Sequence, residues 1–238
     1  MSLETALTSR ELQMNHLFRD RREAGRRLGD LFARRTDLRE PVVLALPRGG
    51  VPVGFEIARA LRAPLDVLIV RKLGHPGQPE LAMGAIASGG VRVMNPDVVS
   101  EAPVPDAELD AVVLQETREL ERRERAYRGE RPPIDVRGRT VVLADDGVAT
   151  GSSMLAAIRA LRVSGPESVV AAVPVAPQDT VTRLEREADE VVCLASPEPF
   201  YAISVWYQSF PQLDDSEVRD ILDHRAAEIA EAQSAASS

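Results

Sequence analysis

Val141-Val142-Leu143-Ala144-Asp145-Asp146-Gly147-Val148-Ala149-Thr150-Gly151-Ser152-Ser153-Met154 is the stretch that decides the fold. Its first four residues form an apolar run that reads as a buried strand. Two adjacent carboxylates stand at the end of that strand, a small-residue turn follows, and Leu155 to Val163 has the spacing of a helix. A parallel sheet binds ligands at such strand-to-helix edges, outside the carboxyl ends of its strands. The residue types suit a phosphorylated sugar. Thr150, Gly151, Ser152 and Ser153 offer backbone N–H groups and three hydroxyls at a helix N-terminus, where a phosphate is stabilised. Asp145 and Asp146 can accept hydrogen bonds from sugar hydroxyls, directly or around a divalent cation. Asp-Gly alone is an ordinary turn and Ser an ordinary helix cap. The succession of strand, acid pair, glycine turn and hydroxyl-rich cap is the specific signal.

That succession resembles the signature of the type I phosphoribosyltransferases. The resemblance implies an α/β fold with a parallel, Rossmann-like sheet, helices on both faces, a small hood and a helical insertion. It implies that Asp145 and Asp146 hold the ribose hydroxyls of phosphoribosyl pyrophosphate and bear indirectly, through substrate or water, on Mg²⁺. It assigns the 5-phosphate to Ala149, Thr150, Gly151, Ser152 and Ser153. Family members that use 6-oxopurines carry an acid where this chain has Ala149. The motif is closest to that of adenine-type members, without fixing the base.

Upstream, Pro41 to Leu46 reads as a buried strand, Val51 to Leu61 as a helix and Leu65 to Val70 as a second buried strand, a right-handed βαβ unit. Between the first strand and its helix, Pro47-Arg48-Gly49-Gly50 forms a second candidate site. Gly49 and Gly50 let the backbone approach an anion, and Arg48 adds a bidentate donor. In the resembled family the equivalent loop binds pyrophosphate and is commonly shaped by a non-proline cis peptide, which implies that the Pro47–Arg48 bond is cis.

Arg71-Lys72-Leu73-Gly74-His75-Pro76-Gly77-Gln78-Pro79-Glu80 follows the second strand. Two glycines and two prolines in ten residues read as a loop, and a loop of that length in a compact domain is often functional. In the resembled family a mobile lid opens here with a basic pair. Arg71 and Lys72 then become catalytic candidates, with Glu80 near the reacting centre; His75 reads more simply as an exposed loop residue. The chain has 29 basic residues, and Lys72 is the single lysine among them.

The remaining segments frame the core. Asn15 to Arg35 reads as an amphipathic helix whose arginines form a solvated face. Leu81 to Ala87 and Val91 to Met94 read as a hairpin around Ser88-Gly89-Gly90. Asn95 to Pro105 reads as irregular, and Asp106 to Arg128 as a long peripheral helix or subunit contact without chemistry. Arg131 to Gly138 reads as a linker, Ser168 to Pro174 and Glu190 to Leu194 as strands, and Thr180 to Ala188 and Leu213 to Glu231 as helices. Residues 196–210 hold five of the chain's nine aromatics. Their distance from the acid pair matches the place where purine-using family members stack the base, so Phe200 and Trp206 are candidates for an acceptor wall. The whole, 1–238, reads as one domain, with 95–133 as the insertion, 196–210 as the hood and 232–238 as a disordered tail.

Composition narrows the class. The chain is 44% hydrophobic, enough for a core, and its apolar runs are too short to span a membrane. A net charge of −8 argues against a nucleic-acid partner. Cys193 is alone, so no internal disulfide forms, and a cytoplasmic protein is expected. The expected activity is Mg²⁺-dependent transfer of a phosphoribosyl group from phosphoribosyl pyrophosphate to a nucleobase or similar nitrogen acceptor; a homodimer is compatible with it. The alternatives are a regulatory protein that binds phosphoribosyl pyrophosphate or a nucleotide, and a phosphohydrolase in which water replaces the base.

Overall fold

Strands with apolar residues on both sides need helices on both faces, and the structure supplies them. The computed structural model describes residues 16–236. Its strands are β1 (Val42–Ala45), β2 (Leu65–Val67), β3 (Val70–His75), β4 (Gln78–Ala87), β5 (Val91–Met94), β6 (Thr140–Ala144), β7 (Ser168–Val175) and β8 (Glu190–Ala195). The α-helices are α1 (Arg21–Phe32), α2 (Gly50–Leu61), α3 (Pro96–Glu101), α4 (Asp106–Arg128), α5 (Ser152–Val163), α6 (Gln178–Leu184) and α7 (Asp215–Ala236). Five strands make a parallel sheet in the order β2-β1-β6-β7-β8, and β3-β4-β5 make a separate antiparallel sheet.

Alternation along the central strands divides the core in two. Val43, Ala45, Val142, Ala144, Val170 and Ala172 face the cluster that contains residues of α1, α2, α4 and α7. Val42, Leu44, Val141, Leu143, Val169 and Ala171 face the cluster built with α5 and α6. Fully burying each Val or Leu contributes about 1.5–3 kcal/mol, and register slips are blocked because either face would lose its partners. Among the described residues no helix is long and apolar enough to cross a membrane.

Helix α4 is tied to the sheet by more than its apolar stripe. Arg128 is buried at its end and donates from Nε to both oxygens of Asp66, at 2.8 and 2.9 Å, and from Nη2 to the Val67 carbonyl at 2.7 Å. Arg225 of α7, also buried, donates to the carbonyls of Ala63 and Ala58. These arginines fasten outer helices to β2 and to the end of α2.

Several local expectations are corrected. The first helix starts at Arg21; Phe18 lies before it in an extended segment that pairs with Tyr207, donating from its N–H to the Trp206 carbonyl at 3.0 Å. Asn15 lies outside the described residues. The second buried strand ends at Val67, and Val70 already belongs to the other sheet. The segment from Arg71 to Glu80 is a β-hairpin, closed by Pro76 and Gly77, in place of a loop. Its glycine and proline content serves the turn and a register shift at Gly74, where a Cβ would lie 2.6 Å from the Pro79 carbonyl oxygen. Part of the irregular stretch is helix α3, and α7 continues through Ala236, so 232–236 is helical.

Arg128→Ala removes the cation that balances buried Asp66. The expected loss is about 3–5 kcal/mol of unfolding free energy, measured by urea denaturation. A loss under about 1 kcal/mol would class the pair with exposed surface pairs.

Candidate functional site

The site is built where the sheet changes direction. The chain leaves β1 to reach β2 on one side, while β6 lies on its other side, with Ala45 in register with Ala144. Leu46 N–H donates to the Ala144 carbonyl at 2.9 Å, so the loops after β1 and β6 begin side by side. Such a switch point is where open α/β sheets bind ligands.

The first loop is packed directly on the acid pair. The Pro47–Arg48 peptide is cis, as the family resemblance implies. A Cβ at Gly49 would overlap the Asp146 carboxylate, and one at Gly50 would lie 2.9 Å from Asp145 Cα. Only glycine permits that approach. Among the described residues, no acceptor takes the N–H groups of Arg48 or Gly49, whereas Gly50 N–H donates to Leu46. The Arg48 guanidinium is half-exposed and turned toward Asp215, 3.8 Å away.

The second loop is a row of open donors. Val148 N–H donates to Val175 at 2.9 Å and pins the loop to the sheet. Gly151, at φ 77°, caps α5 without a side chain to satisfy its first amides. Among the described residues, the N–H groups of Ala149, Thr150, Gly151, Ser152 and Ser153 have no acceptor. The Thr150 and Ser152 hydroxyls lie 3.2 Å apart. The carbonyls point elsewhere: Thr180 Oγ1 donates to Ala149 O at 2.8 Å, and Arg183 donates to Thr150 O.

The two acids differ. Asp145 Oδ1 accepts only the Asp146 N–H, at 2.8 Å. Burial and the neighbouring Asp146 charge push its carboxyl well above the ordinary 3.8. Asp146 Oδ2 accepts from Arg21 Nε at 2.7 Å, in an ion pair whose side chains are 10% and 11% exposed. Arg21 is fixed in turn by the Pro211 carbonyl at 2.7 Å and by the Phe210 ring, 3.6 Å beneath its guanidinium. The Tyr207 hydroxyl donates to the Asp146 carbonyl at 2.6 Å. Burial raises Asp146 as well, against the pull of Arg21.

The basic pair sits on β3. Arg71 Nε donates to Glu116 of α4 at 2.7 Å, and Lys72 Nζ to Glu80 of β4 at 3.0 Å. Glu80 is 98% exposed. His75 accepts the Gly77 N–H and so belongs to the turn. Lys72 also lines a cleft of about 310 Å³ between the small sheet and the first turns of α5, with Asn95, Ser152 and Ser153 at its polar edge. Trp206 is buried with Phe18 and Tyr207, and the half-buried Phe200 lies 6.2 Å from it at a tilt of 38°. Cys193, half-buried against the α5 and α6 core cluster, donates to the Ala195 carbonyl, and burial raises its thiol pKa.

Residues 21–208, from Arg21 through the acid pair to the hood, match the family model described as "Phosphoribosyl transferase domain". The chain belongs to the phosphoribosyl transferase family. A Mycobacterium tuberculosis H37Rv protein, provisionally named a phosphoribosyl transferase, is 50% identical over 216 residues, covering 91% of this chain and 48% of that protein. The chain thus spans about half the length of the first curated relatives it matches. The crystal structure of TT1426 from Thermus thermophilus is 45% identical, with a TM-score of 0.78 over 86% of this chain and 97% of that one. A ribose-phosphate pyrophosphokinase of Methanopyrus kandleri is 33% identical over 66% of this chain and 62% of its own length.

The sequence does not show the buried contacts that hold this site. Arg21, which the sequence pattern puts on a solvated helix face, is the counterion of Asp146. Its neighbour Arg22 is exposed, and nothing local separates the two; burial alone does. The helix's other arginines do follow the expectation.

Asp145 makes no ion pair among the described residues, and its burial fixes its effect on stability. A carboxyl whose pKa is raised on folding holds its proton more tightly in the folded chain. Stability therefore falls as pH climbs from 3.8 through the raised value, and the full cost is felt at neutral pH. Asp145→Asn is expected to raise thermal stability at pH 7, because the amide has no charge to bury. The gain should vanish near pH 3; thermal melts at both pH values check it.

Proposed function

We propose that this chain transfers the 5-phosphoribosyl group of phosphoribosyl pyrophosphate to a nitrogen acceptor, a nucleobase or similar compound, and releases pyrophosphate. The observation that carries this reading is the pair of unsatisfied amide rows flanking the acid pair at the sheet's switch point. The Ala149–Ser153 row suits the 5-phosphate and the Arg48–Gly49 amides suit the pyrophosphate. Asp145 has one carboxylate oxygen that accepts from no donor among the described residues, which suits it to accept from ribose hydroxyls.

Breaking the C1–O bond leaves positive charge on the sugar and negative charge on the departing pyrophosphate. Asp145 and Asp146 favour the first, and amides with nearby cations the second. Binding at the distant phosphate positions C1 for in-line attack. A hard divalent cation is commonly held by one or two carboxylates together with substrate oxygens, and a lone acid pair fits that pattern. Among the described residues no cluster of three or more acidic, His or Cys side chains forms a protein-only cage. Mg²⁺ would supply charge neutralisation at the pyrophosphate, with Asp145 and Asp146 acting on it through substrate or water.

Arg71 and Lys72 are the proposed cations for the leaving group. Both are paired in this structure, with Glu116 and Glu80, so those pairs must open first. Phe200 is the candidate acceptor wall, with Trp206 as its buried support. The pairing of Arg71 and the Arg21–Asp146 contact favour a second reading, a regulatory protein that binds the same compound without turning it over.

Pyrophosphate release from phosphoribosyl pyrophosphate and Mg²⁺, assayed over a panel of bases, separates the two. The double variant Asp145→Asn, Asp146→Asn is expected to lose on the order of 10²–10³ in turnover while keeping its far-ultraviolet circular dichroism. Base-dependent turnover that survives in the double variant would end the assigned role of the acids. Tight binding without turnover for any base would favour the regulator.

A further inference from the structure

Among the described residues the amides of Ala149–Ser153 have no acceptor, while the carbonyls of Ala149 and Thr150 are held from outside the loop. Thr180 is 2% exposed, and its hydroxyl takes the Ala149 carbonyl at 2.8 Å. Arg183, one helical turn on, takes the Thr150 carbonyl. Both peptides are trans, since the cis bonds of the chain lie elsewhere. In a trans peptide the C=O of one residue and the N–H of the next point in opposite directions. Fixing the Ala149 carbonyl on α6 therefore turns the Thr150 N–H away from α6. Fixing the Thr150 carbonyl does the same to the Gly151 N–H. These are two of the amides left without an acceptor.

We propose that Thr180 and Arg183 are positioning residues that preorganise the phosphate cradle by holding its carbonyls back. Two further observations support the assignment. Gly151 has φ 77°, and a Cβ there would lie 3.1 Å from Thr180 Cγ2 and 3.5 Å from Arg183 Nη2, so the loop and α6 approach as closely as a glycine allows. The Arg183 guanidinium makes no ion pair among the described residues, so its charge is uncompensated directly behind the loop. A cradle already oriented before the anion arrives binds without reorganising. Val181 and Leu184 of the same helix are buried in the core cluster shared with α5, which gives α6 a rigid seat.

This inference rests on reading Ala149–Ser153 as the 5-phosphate cradle, and calorimetry with two probes separates the two claims. Ribose 5-phosphate reports the cradle, and pyrophosphate with Mg²⁺ reports the Arg48–Gly49 loop. Thr180→Val keeps the buried volume and removes the hydroxyl; Arg183→Met removes an exposed cation. Each should weaken ribose 5-phosphate about tenfold, the worth of one hydrogen bond near 1.4 kcal/mol, and leave pyrophosphate within about twofold. In turnover assays kcat/KM for phosphoribosyl pyrophosphate should fall about tenfold, and Arg183→Lys should recover part of the loss. Unchanged ribose 5-phosphate affinity in both variants, or equal weakening of both probes, would overturn the positioning role. If the unsubstituted protein binds no ribose 5-phosphate, the cradle reading itself fails.

Discussion

The contact on which the rest depends is the seat of Gly49 against the Asp146 carboxylate. One loop after β1 and one after β6 meet there without room for a single methyl group. A carboxylate this enclosed needs a cation, and Arg21 provides it from a helix that precedes the sheet in the chain. Arg21 in turn needs its own orientation, which comes from the Pro211 carbonyl and the Phe210 ring beyond the last strand. Four distant parts of the sequence are thereby fixed by one buried charge. Such a charge strongly penalises the loss of its partner and rewards an apolar replacement of both. Its retention is easier to understand as placement of the neighbouring Asp145 than as a contribution to stability.

Asp145 is the opposite case. Burial and the neighbouring Asp146 charge outweigh the pull of Arg21 and make its ionised form unfavourable. On the proposed reading, substrate hydroxyls and a divalent ion would reverse that balance. Local destabilisation of this kind is characteristic of sites kept for chemistry, where the surrounding fold supports an arrangement that its own packing would not choose.

Much of this could be seen in the sequence, for reasons that differ by element. β6 and α4 fall where the expected boundaries lie, because an uninterrupted apolar run and a long Glu/Arg pattern have few alternative readings. The acid pair, the glycine turn and the hydroxyl-rich cap were legible because they are contiguous. The β3–β4 hairpin was not: its Gly and Pro residues signal a break, and whether the break is a two-residue turn or a long loop is decided by strand pairing that no local pattern records. Arg21, Thr180 and Arg183 were invisible for a related reason. Each acts on a residue at least 31 positions away, and in an arginine-rich chain one more arginine carries no signal. Trp206 was placed in the right segment, but its burial depends on Phe18, which comes from the other end of the fold.

The small antiparallel sheet rests on the opening turns of α5, so the element that carries Lys72 shares a wall with Ser152 and Ser153. No other lysine exists in the chain. An amine-directed reagent therefore has one side chain to modify, and besides the α-amino terminus its rate of attack reports the surroundings of that sheet alone. The composition has given the protein a built-in reporter at the mouth of its own cleft.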